Sequence, residues 1–414
     1  MKGGAMAVVG TAALPSFLTR AAFGAEADGR NKRLVVIFQR GAADGLNIVV
    51  PHGEQAYYKL RPNIAIPRPV SGTAQSAIDL DGFFGLHPSL SPFKRLWDDG
   101  ILASVHAVGS PSNTRSHFDA QDYMESGTPD NKGTRDGWLN RYLAVKGTCD
   151  ECKLGHDGKS SPFQAVAMTP QTPRILEGTA ATVAMNSLDE FSIRTNGTQA
   201  ERIEALYRTG SADVVHAAGG EMFEAMKILQ AANPQQYIPQ NSADYPRTPF
   251  GQHLRQIAQI IKADVGLEVA FADVGGWDTH VNQGGATGQL ANRLDDFSKS
   301  IAALVKDLGN RMADVTILTM SEFGRTAHQN GNGGTDHGHA TAMFVIGSDV
   351  KGRKVHGKWP GLAPEQLNEG RDLALTTDFR SVFSEVAFKH LGAAKMDAVF
   401  PGYKGDEKTW LGIL

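Results

Sequence analysis

At four places in this 414-residue sequence, acidic and imidazole side chains stand beside the ends of short apolar runs. Gln39-Arg40-Gly41-Ala42-Ala43-Asp44-Gly45-Leu46-Asn47 follows the run Leu34–Phe38. Asp273-Val274-Gly275-Gly276-Trp277-Asp278-Thr279-His280 follows Leu267–Ala272. Met320-Ser321-Glu322-Phe323-Gly324-Arg325-Thr326 follows Val315–Thr319, and Asn330-Gly331-Asn332-Gly333-Gly334-Thr335-Asp336-His337-Gly338-His339 leads into Ala342–Ile346. Carboxylates mixed with imidazoles suit a divalent metal, zinc first, manganese or calcium next, rather than a thiolate-loving ion. The candidate ligands are Asp44, Asp278, His280, Glu322, Asp336, His337 and His339. Some have an ordinary reading as well. Asp44 can cap a turn, and Asp278 and His280 can satisfy one another. Glu322 is different, because a lone charge directly after a buried strand is costly unless it is paired or metal-bound. His337 and His339, two apart beside Asp336, are hard to account for by packing.

A fifth segment could supply a nucleophile. Asn113-Thr114-Arg115-Ser116-His117-Phe118-Asp119-Ala120-Gln121 carries a hydroxyl ahead of a helical stretch, which reads as an N-cap. A helix start also favours negative charge, so Ser116, with Thr114 second, could attack a bound ester. Arg115 and Arg325 could grip a phosphate or sulfate with two parallel hydrogen bonds; each could equally be an ordinary ion-pair former.

These residues need a scaffold that brings them to one place. The apolar runs Leu34–Phe38, Ile101–Ala107, Phe163–Met168, Leu267–Ala272, Val315–Thr319 and Ala342–Ile346 have the length of buried strands. Between them lie helical faces: Leu90, Phe93, Leu96, Trp97; Phe250, Leu254, Ile257, Ile261; and Leu290, Leu294, Phe297, Ile301, Leu304, Val305, Leu308. Strands alternating with helices predict an α/β fold with a predominantly parallel central sheet and helices on both faces. In such sheets the site gathers at the carboxyl ends of the strands.

The 41 Lys and Arg against 44 Asp and Glu leave a net charge of −3, which argues against a nucleic-acid binder. Residues 3–18 are apolar and uncharged behind Lys2, too short for a membrane span, and Ala25-Glu26-Ala27 offers a small-residue cleavage site. Residues 1–27 therefore read as an export signal remnant. The start Met1-Lys2-Gly3-Gly4-Ala5 is similar to the tail of a twin-arginine signal, so the expected partners include the export machinery and the expected location is periplasmic or secreted, with no membrane span after signal removal. Residues 33–412 read as one domain, with a surface insertion near 145–162 and a helical cap near 186–245. The two cysteines, Cys149 and Cys152, read first as a local disulfide or idle thiols, since His156 is the only further zinc-type ligand close by.

The motifs Gln39-Arg40-Gly41-Ala42-Ala43-Asp44-Gly45-Leu46-Asn47, Arg115-Ser116-His117-Phe118-Asp119-Ala120-Gln121, Gly276-Trp277-Asp278-Thr279-His280 and Ser321-Glu322-Phe323-Gly324-Arg325-Thr326, in this order, resemble the exported bacterial family known as domain of unknown function 1501. That family is in turn similar to the alkaline phosphatase and sulfatase superfamily. The resemblance implies an alkaline-phosphatase-like domain, a two-metal site and a metal-dependent hydrolase acting on small-molecule phosphate or sulfate esters or on an anionic polymer. It would make Asp44 the first-strand metal ligand, Ser116 the nucleophile, Asp278 with His280 a ligand pair, Glu322 the stand-in for an Asp of an Asp-His pair, and His337 or His339 the late ligand. Two departures stand out. Asp278 and His280 have one residue between them where the superfamily has three, and Ser321-Glu322-Phe323 lacks an imidazole. A non-catalytic binding or assembly protein that retains the fold is the alternative.

Overall fold

The computed structural model describes residues 32–147, 161, 163–188 and 237–414. Among these, nine strands form one sheet: β1 (Arg33–Gln39), β2 (Leu102–Gly109), β3 (Ala165–Met168), β4 (Val183–Ala184), β5 (Val269–Val274), β6 (Val315–Met320), β7 (Thr341–Gly347), β8 (Lys354–His356) and β9 (Thr377–Asp378). The spatial order is β8-β2-β7-β6-β1-β5-β3-β4, with β9 also pairing β2. Each of the six apolar runs supplies one of these strands, and β1 and β6 are direct neighbours.

The strands supplied by those runs are apolar because both faces are covered. Side chains alternate across a strand, so Val35 and Ile37 enter one core while Leu34, Val36 and Phe38 enter another. On the first face pack α1 (Ser91–Asp98), α4 (Pro249–Ala263) and α5 (Gln289–Leu308), through the helical faces expected from the sequence. On the second pack α2 (His117–Ser126), α3 (Trp138–Gly147) and α6 (Phe379–Lys389), through Met124, Trp138, Leu139, Phe379, Val382 and Phe383.

Every pairing is parallel except the two made by β7, which runs antiparallel to β2 and β6. The reason is its connection. Residues 321–340 contain no helix to carry the chain back across a face, and without such a crossover the next strand must return in the opposite sense. That reversal matters for the site. Phe38 stands opposite both Asp273 and Met320, so β1, β5 and β6 end together, while Thr341, the first residue of β7, stands opposite Val108 near the end of β2. The residues before β7 thus arrive at the same edge as those after β1, β2, β5 and β6.

Residues 1–27, with the export segment, lie outside the described residues. So do Cys149, Cys152 and all but the ends of the stretches 145–162 and 186–245. Among the described residues no helix is long and apolar enough to cross a membrane.

Three core histidines give the fold a pH dependence. Burial pushes His87, His106 and His390 down to about 4 from an ordinary 6.5. Each pairs one ring nitrogen with a carbonyl, of Gly285, Val49 and Arg33 respectively, and receives a donor on the other, from Ser89 N, Ala107 N and Thr316 Oγ1. The neutral ring is thereby satisfied and a second proton has no place. Between pH 6.5 and 4 the unfolded chain binds more protons than the folded one, so stability should be complete above 6.5 and fall as pH drops through that window. The loss is on the order of 2 kcal/mol for each ring by pH 5. Thermal melting at pH 7.5 and pH 5 checks this, and equal melting temperatures would contradict it.

Candidate metal centre

Each loop at the carboxyl edge is held by something local. Ser116 caps α2: its Oγ accepts from the Asp119 N–H at 3.5 Å, which places His117 at the first helical position. After β5 the buried Trp277 plugs the first core and donates from Nε1 to the Val274 carbonyl at 2.9 Å, which pins the turn that carries Asp278 and His280. The β1 turn presses against this loop at Gly41, where φ is +120° and an added Cβ would stand 2.7 Å from the Asp278 nitrogen. Only glycine allows that approach.

Three imidazoles and one carboxylate meet there. His337 Nε2 lies 3.0 Å from His117 Nε2 and 3.0 Å from His280 Nε2. Asp278 Oδ1 is 2.9 Å from His280 Nε2 and 3.3 Å from His337 Nε2, and its Oδ2 is 3.5 Å from His117 Nε2. His117, Asp278 and His337 each bring a ligand atom within 4.8 Å of the others. The other nitrogen of every ring faces an acceptor: His117 Nδ1 meets Glu322 Oε1 at 2.8 Å, His280 Nδ1 meets Asp336 Oδ1 at 3.0 Å, and His337 Nδ1 meets the Arg115 carbonyl at 2.9 Å. An acceptor requires the proton on Nδ1, so in each neutral ring Nε2 carries a lone pair. Three lone pairs and a carboxylate then point at one another, which demands a shared positive charge. Nitrogens bound at about 2.0–2.1 Å to one ion stand roughly 3–3.4 Å apart, and metal-bound imidazoles typically carry such an outer acceptor. The donor set fits a zinc-type ion.

The electrostatics agree. The hydrogen bond to Glu322 raises His117 above the ordinary imidazole value against opposing burial. His337 is lowered, first by burial and further by the charges of His117 and Arg325. Burial pushes the Asp278 carboxyl up, but the Arg325 hydrogen bond and charge outweigh it and hold it below the usual range. Arg325 is itself buried; it reaches Asp278 Oδ1 at 2.6 Å and is braced by the Thr335 hydroxyl and carbonyl. Glu322 is fully buried yet held ionised: burial raises it, and hydrogen bonds from His117, Gln121 and Gly41 pull it down.

The residues expected from the sequence divide into groups. Asp278, His280 and His337 face the convergence. Glu322 and Asp336 stand behind His117 and His280 as their acceptors. Asp44 is engaged elsewhere: its oxygens take two bonds from the buried Arg61, at 2.6 and 2.9 Å, and one from Gln283 Nε2 at 2.7 Å. His339 stands outside the group formed by His117, Asp278 and His337, and burial lowers it below the ordinary imidazole value. Arg115 is bound to Glu369 and Asp372, at 2.7 and 2.9 Å, and Arg325 to Asp278, so both guanidiniums have partners inside the protein. Thr114 Oγ1 accepts from Ser116 N. His117 was not among the expected ligands. Its position directly after the capping Ser116, in the first turn of a helix at the sheet edge, was the available signal.

The family model described as a protein of unknown function, DUF1501, matches residues 31–398. No match is found among curated proteins. Among solved structures the chain is similar to the PsFucS1 sulfatase from Pseudoalteromonas sp., at 11% identity and a TM-score of 0.39, covering 98% of this chain and 77% of that one. It is also similar to the phosphonate monoester hydrolase of Agrobacterium radiobacter, at 11% identity and a TM-score of 0.33, covering 92% and 78%.

Proposed function

We propose that this chain, which belongs to the DUF1501 family, is an exported metal-dependent hydrolase of phosphate or sulfate esters, with one ion held by His117, Asp278 and His337 and by the adjoining His280. The observation that carries the reading is the convergence of three imidazole Nε2 lone pairs and a carboxylate, each imidazole backed by its own acceptor. When bound, the ion supplies Lewis-acid charge against the oxygens of the ester anion. The chain supplies the rest. Glu322, Asp336 and the Arg115 carbonyl orient the rings, and Arg325 holds Asp278. Ser116, exposed at the start of α2, presents the candidate attacking hydroxyl beside His117. Aryl phosphates and aryl sulfates, whose released phenols are read directly, are the probes to use. Export rests on the apolar segment of residues 3–18 and the small-residue site after it.

Metal analysis of the purified chain followed by turnover of both aryl esters tests the reading, with about one zinc per chain expected from a single four-ligand site. Ser116→Ala should abolish turnover and leave metal content unchanged. A cap accounts for a different outcome: its loss costs about 0.5–2 kcal/mol, so turnover retained at a lowered melting temperature would remove Ser116 from the chemistry. The cap bond to Asp119 is also what favours the second reading, a metal-binding protein without catalysis. Full metal occupancy with neither ester turned over would select it.

A further inference from the structure

His117, Gln121 and Glu125 follow one another at four-residue spacing and so share one face of α2. Opposite that face stands Arg40, the first residue after β1. Its Nε donates to Asp273 Oδ2 at 2.6 Å, and one terminal nitrogen, Nη1, donates both to Glu125 Oε1 and to Gln121 Oε1, each at 2.9 Å. The guanidinium rests over the Phe38 ring, 4.4 Å from its centre. A guanidinium has only donors, so Gln121 must turn its carbonyl oxygen toward it. The amide nitrogen of Gln121 is then left facing Glu322 Oε1, to which it donates at 2.9 Å. The same oxygen receives the Gly41 N–H at 2.8 Å and His117 Nδ1 at 2.8 Å, while Glu322 Oε2 receives the Ser321 hydroxyl at 3.0 Å.

We propose that Arg40 and Gln121 are positioning residues of the metal centre: Arg40 fixes which way the Gln121 amide faces, the amide holds the Glu322 carboxylate, and the carboxylate aims the His117 ring so that Nε2 meets His337 and Asp278. The inference rests on the metal reading, but it concerns residues that touch none of the converging atoms. Arg40 ties together the ends of β1 and β5 and the face of α2. The orientation of one ligand is therefore set by the same contacts that hold the sheet edge to the helix.

The test uses the whole chain freed of metal, with zinc as the probe. The zinc dissociation constant is measured by competition with a chromophoric chelator, and the melting temperature of the metal-free protein is taken alongside. Gln121→Leu keeps the volume and removes both hydrogen bonds. Gln121→Glu keeps the shape and replaces the donor facing Glu322 by a second acceptor. Each should weaken zinc binding by about 10-fold, the low end of the loss seen when a ligand's outer partner is disturbed, because Gln121 acts through Glu322. Gln121→Glu sets a second carboxylate against the buried Glu322 and should lower the metal-free melting temperature; a loss of zinc affinity in a Gln121→Leu protein that still melts cooperatively without metal is what a purely structural role does not predict. Zinc affinity within twofold of the parent in both variants overturns the inference and leaves the metal reading standing. A parent that takes up no zinc ends both.

Discussion

His337→Ala should strip the centre of its metal and abolish any ester turnover, the largest functional effect expected of a single substitution here. Its Nε2 is the atom the other two imidazoles share, 3.0 Å from each, and it lies 3.3 Å from Asp278. Removing it leaves Asp278 as the one group that still faces both His117 and His280, and opens one side of the ligand set. The loss should exceed the roughly 10–100-fold drop that follows removal of an outer partner. Zinc retained after desalting, read by atomic emission, should fall from near one per chain to trace. His339→Ala is the matched control. It also removes an imidazole before β7, but that ring stands outside the group formed by His117, Asp278 and His337, so zinc should stay at the parental level. Full occupancy in His337→Ala, or its loss in His339→Ala, would show that a different set of atoms holds the ion.

Much of this was legible in the sequence. Continuous apolar runs mark strands covered on both faces, and the stripes on α4 and α5 are long enough to fix their buried sides. The sheet edge was legible as well, because chemistry-bearing residues repeat after strands. Four things were not. The reversal of β7 depends on the absence of a crossover helix in residues 321–340, and loop composition does not state a strand's direction. The division of acids into those facing the convergence and those behind an imidazole, Glu322 and Asp336, depends on side-chain direction that strand-end position leaves open. His117 was hidden by its neighbour: Ser116 explained the motif as a cap, and a cap also delivers the next residue to the sheet edge. The fate of Asp44 was the least visible. Its partner Arg61 sits just past the short helix Gln55–Leu60, and no periodicity links the two positions.

That pair yields the largest stability effect expected. Asp44 and Arg61 are both essentially without solvent, and the guanidinium is spent entirely on this neighbourhood: two bonds to Asp44, one to Asn47 Oδ1 at 2.7 Å, and one each to the carbonyls of Thr326 and Ala327 at 2.8 and 3.0 Å. Arg61→Leu leaves a buried carboxylate with Gln283 as its remaining side-chain donor, and breaking such a pair from one side costs about 3–5 kcal/mol. Asp44→Asn in the same background removes the stranded charge while keeping its shape, so the double variant should be more stable than Arg61→Leu alone. Urea unfolding of the two single variants and the double measures that coupling; strictly additive losses would mean that the two side chains act independently. The same set bears on the number of ions. A carboxylate already neutralised by a buried guanidinium has no charge left to recruit a metal, so Asp44→Asn should fold and retain the parental zinc content. If zinc content fell in that variant while its fold was intact, Asp44 would have to be counted among the ligands after all, and the first-strand carboxylate would serve a second ion as the family resemblance implies.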